Sequence, residues 1–308
     1  MLKGRDILTL ADLTSEEIWE ILKATEQLKL QHRLGDNPQT LKGKTLLMVF
    51  QKPSTRTRIS FEVAMLQLGG HAIYLSWNET QLGRGEPLKD TARVMSRYAD
   101  AILVRTFNQE DLEKLAENAT IPVINGLTDK YHPCQVLSDL YTIYEKKHFL
   151  DGLKLAYVGD GNNVCHSLLL GLPKVGMNIA IACPPQHQPD PDVVNVARKE
   201  ARKHNTQIET YSNPVEAVRD AHIVYTDTWV SMGQEKEEKD RKKHFRGYTV
   251  DEKLLSVADE DYLVMHCLPA HRGEEITDKV IEGPHSIVFD QAENRLHTQK
   301  AILSLIMG

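Results

Sequence analysis

The stretch FQKPSTRTRISFE, Phe50 to Glu62, decides how the chain reads. It lies between an apolar run, KTLLMVF, and a helical pattern with Phe61, Met65 and Leu68 on one stripe. A strand therefore runs into a helix, and the turn between them gathers Ser54, Thr55, Arg56, Thr57 and Arg58. A helix N-terminus offers unpaired N–H groups and the positive end of the backbone dipole. Hydroxyls and guanidinium groups added there make a place for a doubly charged oxyanion, most simply a phosphate. Ser54 or Thr55 alone reads as an ordinary helix cap. The whole cluster after a strand reads as a phosphate site. It is not a Walker phosphate loop, because STRTR has neither the glycines nor the lysine of that motif.

Before this turn, Thr14 and Glu17 have the spacing of a capping box, and Ile18, Ile21, Leu22 and Leu28 mark one face of the helix that follows. Gly35 and Pro38 stop it. Strands are expected at 44–50, 72–75, 101–104 and 122–125, and a long linking helix at 136–148. In the second half, short apolar runs fall at 154–158, 178–182, 223–226, 262–266 and 287–289. Helical stretches separate them, the clearest at 191–204, and 292–307 reads as a last helix. Such alternation argues an α/β fold of two doubly wound domains, each with a mostly parallel sheet flanked by helices. The charge-dense piece 233–248 breaks the pattern and reads as a solvated helix or loop, with a mobile lid as the alternative.

The totals agree. A chain of 308 residues suits two domains of ordinary size. With 41% hydrophobic and 26% charged residues it reads as soluble and globular. A formal net charge of -6 argues against a nucleic-acid partner held by bulk charge, so an anionic ligand needs a local basic pocket. Cys134, Cys165, Cys183 and Cys267 form no C-x-x-C pair, which suggests neither a zinc ribbon nor a disulfide framework. Reduced thiols in a cytoplasm fit best. The N-terminus MLKGRDILTL lacks a signal-peptide core, and no run is long enough to span a bilayer.

In open α/β sheets, ligands bind beyond the carboxyl ends of the strands. Arg105, the stretch His132 to Gln135, the pair Asn162 and Asn163, Asp227, Cys267, and Asp290 with Arg295 all follow apolar runs. Together they suggest one cleft shared by two domains. The turn VGDGNN has the G-x-G of a dinucleotide fingerprint, but Val164 stands where the third glycine belongs, and no ribose-binding acid ends the next strand. In HCLPAHRGEEI, His266, Cys267 and His271 match no standard zinc spacing. Leu268–Pro269 is a candidate cis bond in a tight turn.

STRTR, HPCQ, DTWVSMG and HCLPAHRGEEI, in this order and spacing, resemble the aspartate/ornithine carbamoyltransferase family over essentially the whole chain. STRTR and HPCQ are shared across that family, whereas DTWVSMG and HCLP point to its ornithine branch. The resemblance implies a carbamoyl phosphate domain at 1–147, completed by the C-terminal helix 292–308, and an L-ornithine domain at 148–291. It implies a homotrimer, arginine metabolism with citrulline as product, no metal and no organic cofactor, and neither nucleic acid nor membrane as partner. By match to the motifs, Ser54, Thr55, Arg56, Thr57, Arg105, His132, Gln135, Cys267, Leu268 and Arg295 would hold carbamoyl phosphate. Gln81 would reach in from a neighbouring subunit. Asn163, Asp227, Ser231 and Met232 would bind ornithine, and Asp227, Cys267, Arg105 and His132 would carry the chemistry. Aspartate as acceptor would call for basic residues facing its extra carboxylate, so Asp227 with Ser231 and Met232 suits a cationic amino acid better. Acetylated ornithine and putrescine are weaker options. A phosphate-sensing binding protein would use the same helix terminus but would not need Asp227 and Cys267.

Overall fold

The computed structural model describes residues 2–231 and 233–308. Its strands are β1 (Thr45–Phe50), β2 (His71–Ser76), β3 (Ala101–Arg105), β4 (Val123–Leu127), β5 (Lys154–Val158), β6 (Asn178–Ala182), β7 (Ile208–Tyr211), β8 (Ile223–Thr226) and β9 (Leu263–His266). They form two sheets, ordered β2-β1-β3-β4 and β7-β6-β5-β8-β9, and every pairing within them is parallel. Parallel strands covered on both faces read as unbroken apolar runs. Leu46, Met48, Val49, Ile102 and Leu103 are accordingly buried in one sheet, and Ala156, Val158, Ala180 and Ala182 in the other. The chain divides into two compact units, one running up to Thr142 and resuming at Glu293–Gly308, the other Ile143–Ala292. No helix among the described residues is long and apolar enough to cross a membrane.

The order of strands locates two crevices. In the first sheet the chain builds β1, steps out to β2, then returns to the other side of β1 for β3. The turns after β1 and β3 therefore diverge at a topological switch point, where open α/β sheets bind ligands. Phe50 pairs with Arg105 there, so both strands end level. In the second sheet β5, β6 and β7 run one way and β8 and β9 the other, which puts the switch point between β5 and β8. Val158 pairs with Thr226 at that edge.

The expected capping box is formed. Thr14 Oγ1 accepts from Glu17 N at 3.2 Å, and Glu17 Oε2 accepts from Thr14 N at 2.9 Å, at the head of the helix Ser15–Arg33. Two strand expectations fail. Residues 287–289 are not a strand. Ser286 alone bridges Val264, and Val288 opens the long helix Val288–Met307, because three apolar residues carry no period of their own. Conversely β7 has no apolar run to announce it. It is an edge strand with three half-buried residues and one exposed. Segment 233–248 holds the short helix Glu238–His244, exposed on most sides but with Arg241, Phe245 and Tyr248 buried.

Candidate active site

The first half-site is built on the switch point between β1 and β3. Ser54 has extended backbone and caps the helix Thr55–Gln67, its Oγ accepting from Thr57 N at 3.2 Å. Thr57, one per cent exposed, turns its hydroxyl inward, where Arg295 Nη2 donates to Oγ1 at 3.3 Å. Arg295 Nη1 donates to Gln135 Oε1 at 2.6 Å, and Gln135 Nε2 donates to Asp139 Oδ1 at 2.8 Å. Arg105, at the end of β3, is four per cent exposed, and its Nε makes no hydrogen bond among the described residues.

Burial and mutual repulsion of its arginines dominate the electrostatics of this group. Burial, then Arg295 and Arg56, press the Arg105 guanidinium down to about 10. Burial, then Arg295, Arg105 and Arg56, hold His132 well below the usual imidazole range, so its ring is neutral at pH 7. Three guanidinium groups thus repel one another around a neutral imidazole, beside a helix N-terminus.

Of the residues expected from sequence, Arg56, Thr57, Arg105, His132, Gln135 and Arg295 come together here, with Ser54 as cap and Thr55 as the exposed first helical residue. Arg58 does not join them. Two residues beyond Arg56 on a helix is more than half a turn round, and Arg58 lies 3.9 Å from the Tyr74 ring centre and 2.9 Å from Glu62. Gln81 is exposed at the start of a short turn, Gln81–Arg84, and no contact among the described residues links it to the arginines. Sequence reasoning missed Lys52, which is buried, ion-paired with Asp129 and 4.1 Å from the Phe107 ring centre. It ties the turn after β1 to the loop after β4.

The second half-site is built on the switch point between β5 and β8. Asp227, just past β8, accepts from three donors. Thr228 N and Cys267 Sγ reach Oδ1 at 2.8 and 3.0 Å, and Asn162 Nδ2 reaches Oδ2 at 2.7 Å. Asn162 caps the helix Asn163–Gly171, its Oδ1 accepting from Val164 N and Cys165 N, which fixes the amide orientation. Asn162 is thus bonded directly to Asp227, and Asn163, the residue that the motif match gives to ornithine, is its neighbour in the chain. Asn163 is half-buried, and its carbonyl accepts from Ser167 Oγ at 2.9 Å. Gly161 must be glycine, since a Cβ there would lie 2.2 Å from Pro189 N. The G-x-G of this turn has that packing reason without any dinucleotide.

The HCLP stretch follows β9. Leu268–Pro269 is cis, and Leu268 has φ of 58°. His266 is fully buried. Its Nδ1 accepts from Leu268 N at 2.9 Å, which leaves the ring proton on Nε2, 3.0 Å from Glu275 Oε1. Donor atoms of Asp227, His266 and Cys267 lie within 4.8 Å of one another, but both His266 nitrogens are engaged in shaping this turn. Ser231 is half-buried, with its N donating to Gln234 Oε1 at 3.2 Å. Met232 lies outside the described residues.

Comparison with known proteins agrees with this division of labour. Residues 5–145 match the family description "Aspartate/ornithine carbamoyltransferase, carbamoyl-P binding domain", and residues 151–306 match "Aspartate/ornithine carbamoyltransferase, Asp/Orn binding domain". A curated relative from Pyrococcus furiosus, "Ornithine carbamoyltransferase, anabolic", is 54% identical over 307 residues, covering 100% of this chain and 98% of the relative. The solved ornithine carbamoyltransferase from Pyrococcus furiosus superposes with a TM-score of 0.97 at 54% identity, over 100% of this chain and 98% of that one. The one from Gloeobacter violaceus gives 0.90 at 49% identity, with 100% of both chains covered.

Proposed function

Because the chain belongs to the aspartate/ornithine carbamoyltransferase family, we propose that it transfers the carbamoyl group of carbamoyl phosphate to the side-chain amine of L-ornithine, giving L-citrulline and phosphate. The observation that carries the choice of acceptor is Asp227, an acid held by Asn162, Thr228 and Cys267 at the second switch point. It offers a carboxylate to a cationic amine and gives an acceptor's second carboxylate nothing to pair with. One Pyrococcus furiosus relative is named as anabolic, and we extend that direction, arginine biosynthesis, to this chain. Its four cysteines are free thiols, in keeping with a cytoplasmic enzyme.

The residue types support a direct transfer. An alkylamine resembles lysine, with a pKa near ~10, so almost none is neutral at pH 7. Asp227 and the Cys267 thiol bonded to it would receive the ammonium group and assist its proton loss. The freed lone pair attacks the carbamoyl carbon, a C–N bond forms, and the carbonyl oxygen gains negative charge. Arg105, the neutral His132 N–H and the Thr57 hydroxyl would stabilise that oxygen. The C–O bond to phosphate then breaks, the departing phosphate takes the second proton from the attacking nitrogen, and Arg56, Arg105 and the helix N-terminus after Ser54 would take up the departing charge. The neutrality of His132 suits it to donate a hydrogen bond to the carbonyl oxygen without giving up its proton.

A colorimetric assay for citrulline, run in parallel with aspartate, N-acetylornithine and putrescine as acceptors, tests the assignment. Ornithine should be the preferred acceptor by kcat/KM, and preference for any other would overturn it. Cys267→Ser should keep measurable turnover with weakened ornithine use, since the thiol acts here as a hydrogen-bond donor to Asp227. A carbamoyl-thiol adduct trapped in mass spectrometry would contradict that role.

We also propose a homotrimer in which Gln81 completes a neighbour's site. An Arg105→Ala chain would then have a poor core and a good donated loop. A Gln81→Glu chain would have a good core and donate a carboxylate that repels phosphate. Each trimer should be poorly active alone, and co-refolded mixtures should regain activity, because a closed ring of both chains always contains one good pairing. Verified mixed trimers with no gain would rule out the shared site.

A further inference from the structure

The charged segment 233–248 supplies none of the half-site side chains above, yet it is seated firmly. Phe245 stacks on Trp229, with ring centres 5.4 Å apart, and on His187 at 4.9 Å. The Tyr248 hydroxyl donates to Ser212 O at 2.5 Å. Arg241, six per cent exposed, has a different kind of partner. Its Nε donates to Trp229 O at 2.7 Å, and its Nη2 lies 2.5 Å from Asp160 Oδ2. Trp229 stands two residues past Asp227 in the stretch after β8. Asp160 stands two residues before Asn162 in the turn after β5. One guanidinium therefore spans the two turns whose side chains, Asn162 and Asp227, meet at 2.7 Å.

The charges say why an arginine is needed. Burial pushes the Asp160 carboxyl up to about 7, with Arg241 opposing and Asp227 adding to the rise. His187 Nδ1 is 3.9 Å from Asp160, but burial, Arg241 and His244 hold that imidazole down to about 4, so it is no cation at neutral pH. His244 Nδ1 is turned to His187 Nε2 at 3.0 Å. Glu237, 3.8 Å from Arg241, is largely exposed. A planar fork can meet a carboxylate and a carbonyl at once, whereas a lysine ammonium on a flexible stem meets one well.

We propose that Arg241 is a positioning residue for the acceptor half-site, pinning the turn that carries Asn162 to the stretch that carries Asp227 and Ser231, and so setting the affinity for ornithine. This rests on the reading of ornithine as acceptor. The pin shapes the pocket before and during reaction alike, so its loss should appear in KM rather than in kcat. In the whole enzyme, Arg241→Gln should raise the ornithine KM roughly tenfold or more, with kcat within about threefold and the carbamoyl phosphate KM unchanged. Arg241→Lys should fall between. A residue that only stabilised the fold would lower apparent kcat by shrinking the folded fraction and leave both KM values alone. Hydrogen exchange through 233–248 should also quicken in ligand-free Arg241→Gln, and in Arg241→Lys if the glutamine variant does not fold. An ornithine KM within twofold of wild type, or equal rises in both KM values, would overturn the proposal. A wild-type enzyme that made no citrulline would overturn the acceptor instead, and the exchange measurement, which needs no substrate, would still decide the pin: unchanged exchange removes it.

Discussion

Arg105→Ala is expected to lower kcat at least ~100-fold, the scale for one lost donor to a developing oxyanion. The group removed is nearly buried, at the end of β3, and no carboxylate among the described residues is paired with it. Burial first, then Arg295 and Arg56, lower it to about 10. That shift opposes the charged form by on the order of 3 kcal/mol. An arginine so buried and so placed among other arginines suits an anionic partner. The substitution should therefore separate activity from stability. Turnover should collapse while the ligand-free melting temperature stays near or above that of wild type, the lost side-chain packing being offset by the relief of repulsion. Stopped assays on a variant with unchanged circular dichroism, alongside thermal melts, read both. Near-normal turnover in the folded variant would falsify the assignment.

Asp227→Asn should cost more on the acceptor side than on the phosphate side. A loss of ~100-fold to ~10,000-fold in kcat/KM for ornithine is expected, the range for a positioned acid or base, with the carbamoyl phosphate KM little changed. The substitution keeps the shape but reverses half the hydrogen bonding. Asn162 cannot turn its amide round, because its Oδ1 is held by Val164 N and Cys165 N. The new amide must present oxygen to Asn162 and so turns its NH2 toward Thr228 N and Cys267, two donors. Steady-state kinetics with each substrate varied in turn measure the split. Equal damage to both KM values would argue that residue 227 shapes the fold rather than receives the amine.

Local signals carried much of this site into the sequence. The cap Ser54, the buried Thr57 and the box Thr14–Glu17 are legible because a helix N-terminus is specified by residues three apart. Arg105 and Asp227 are legible because each ends an apolar run. The motif match adds Gln135 and Arg295, whose meeting nothing local could reveal, as they stand 160 residues apart. Lys52 escaped because its partner, Asp129, lies 77 residues away, and the bond of Asn162 to Asp227, 65 residues on, was hidden for the same reason. Arg241 escaped for another reason. In a run of charges, the one side chain that turns inward is chosen by the fold and not by its neighbours in the chain. The edge strand β7 and the false strand at 287–289 failed on length, since runs so short fix no period.

Arg295 joins the first half-site from the far side of an entire folding unit, and this has a consequence for how the protein is made. Thr57, Arg105, His132 and Gln135 are all translated before the residues of Ile143–Ala292 begin, and Arg295 after they end. Domains fold as units while the chain emerges, so the second unit can settle while the first still lacks its closing helix. During that interval Lys29 also has no Asn294 to bond, though the finished protein buries both. A ribosome that stalls or a message cut short thus yields a chain with most of the phosphate-binding motif but without the residue that joins Thr57 to Gln135. The first half-site is thus closed only by the last helix, and an unfinished copy lacks the side chain that complete ones fold around.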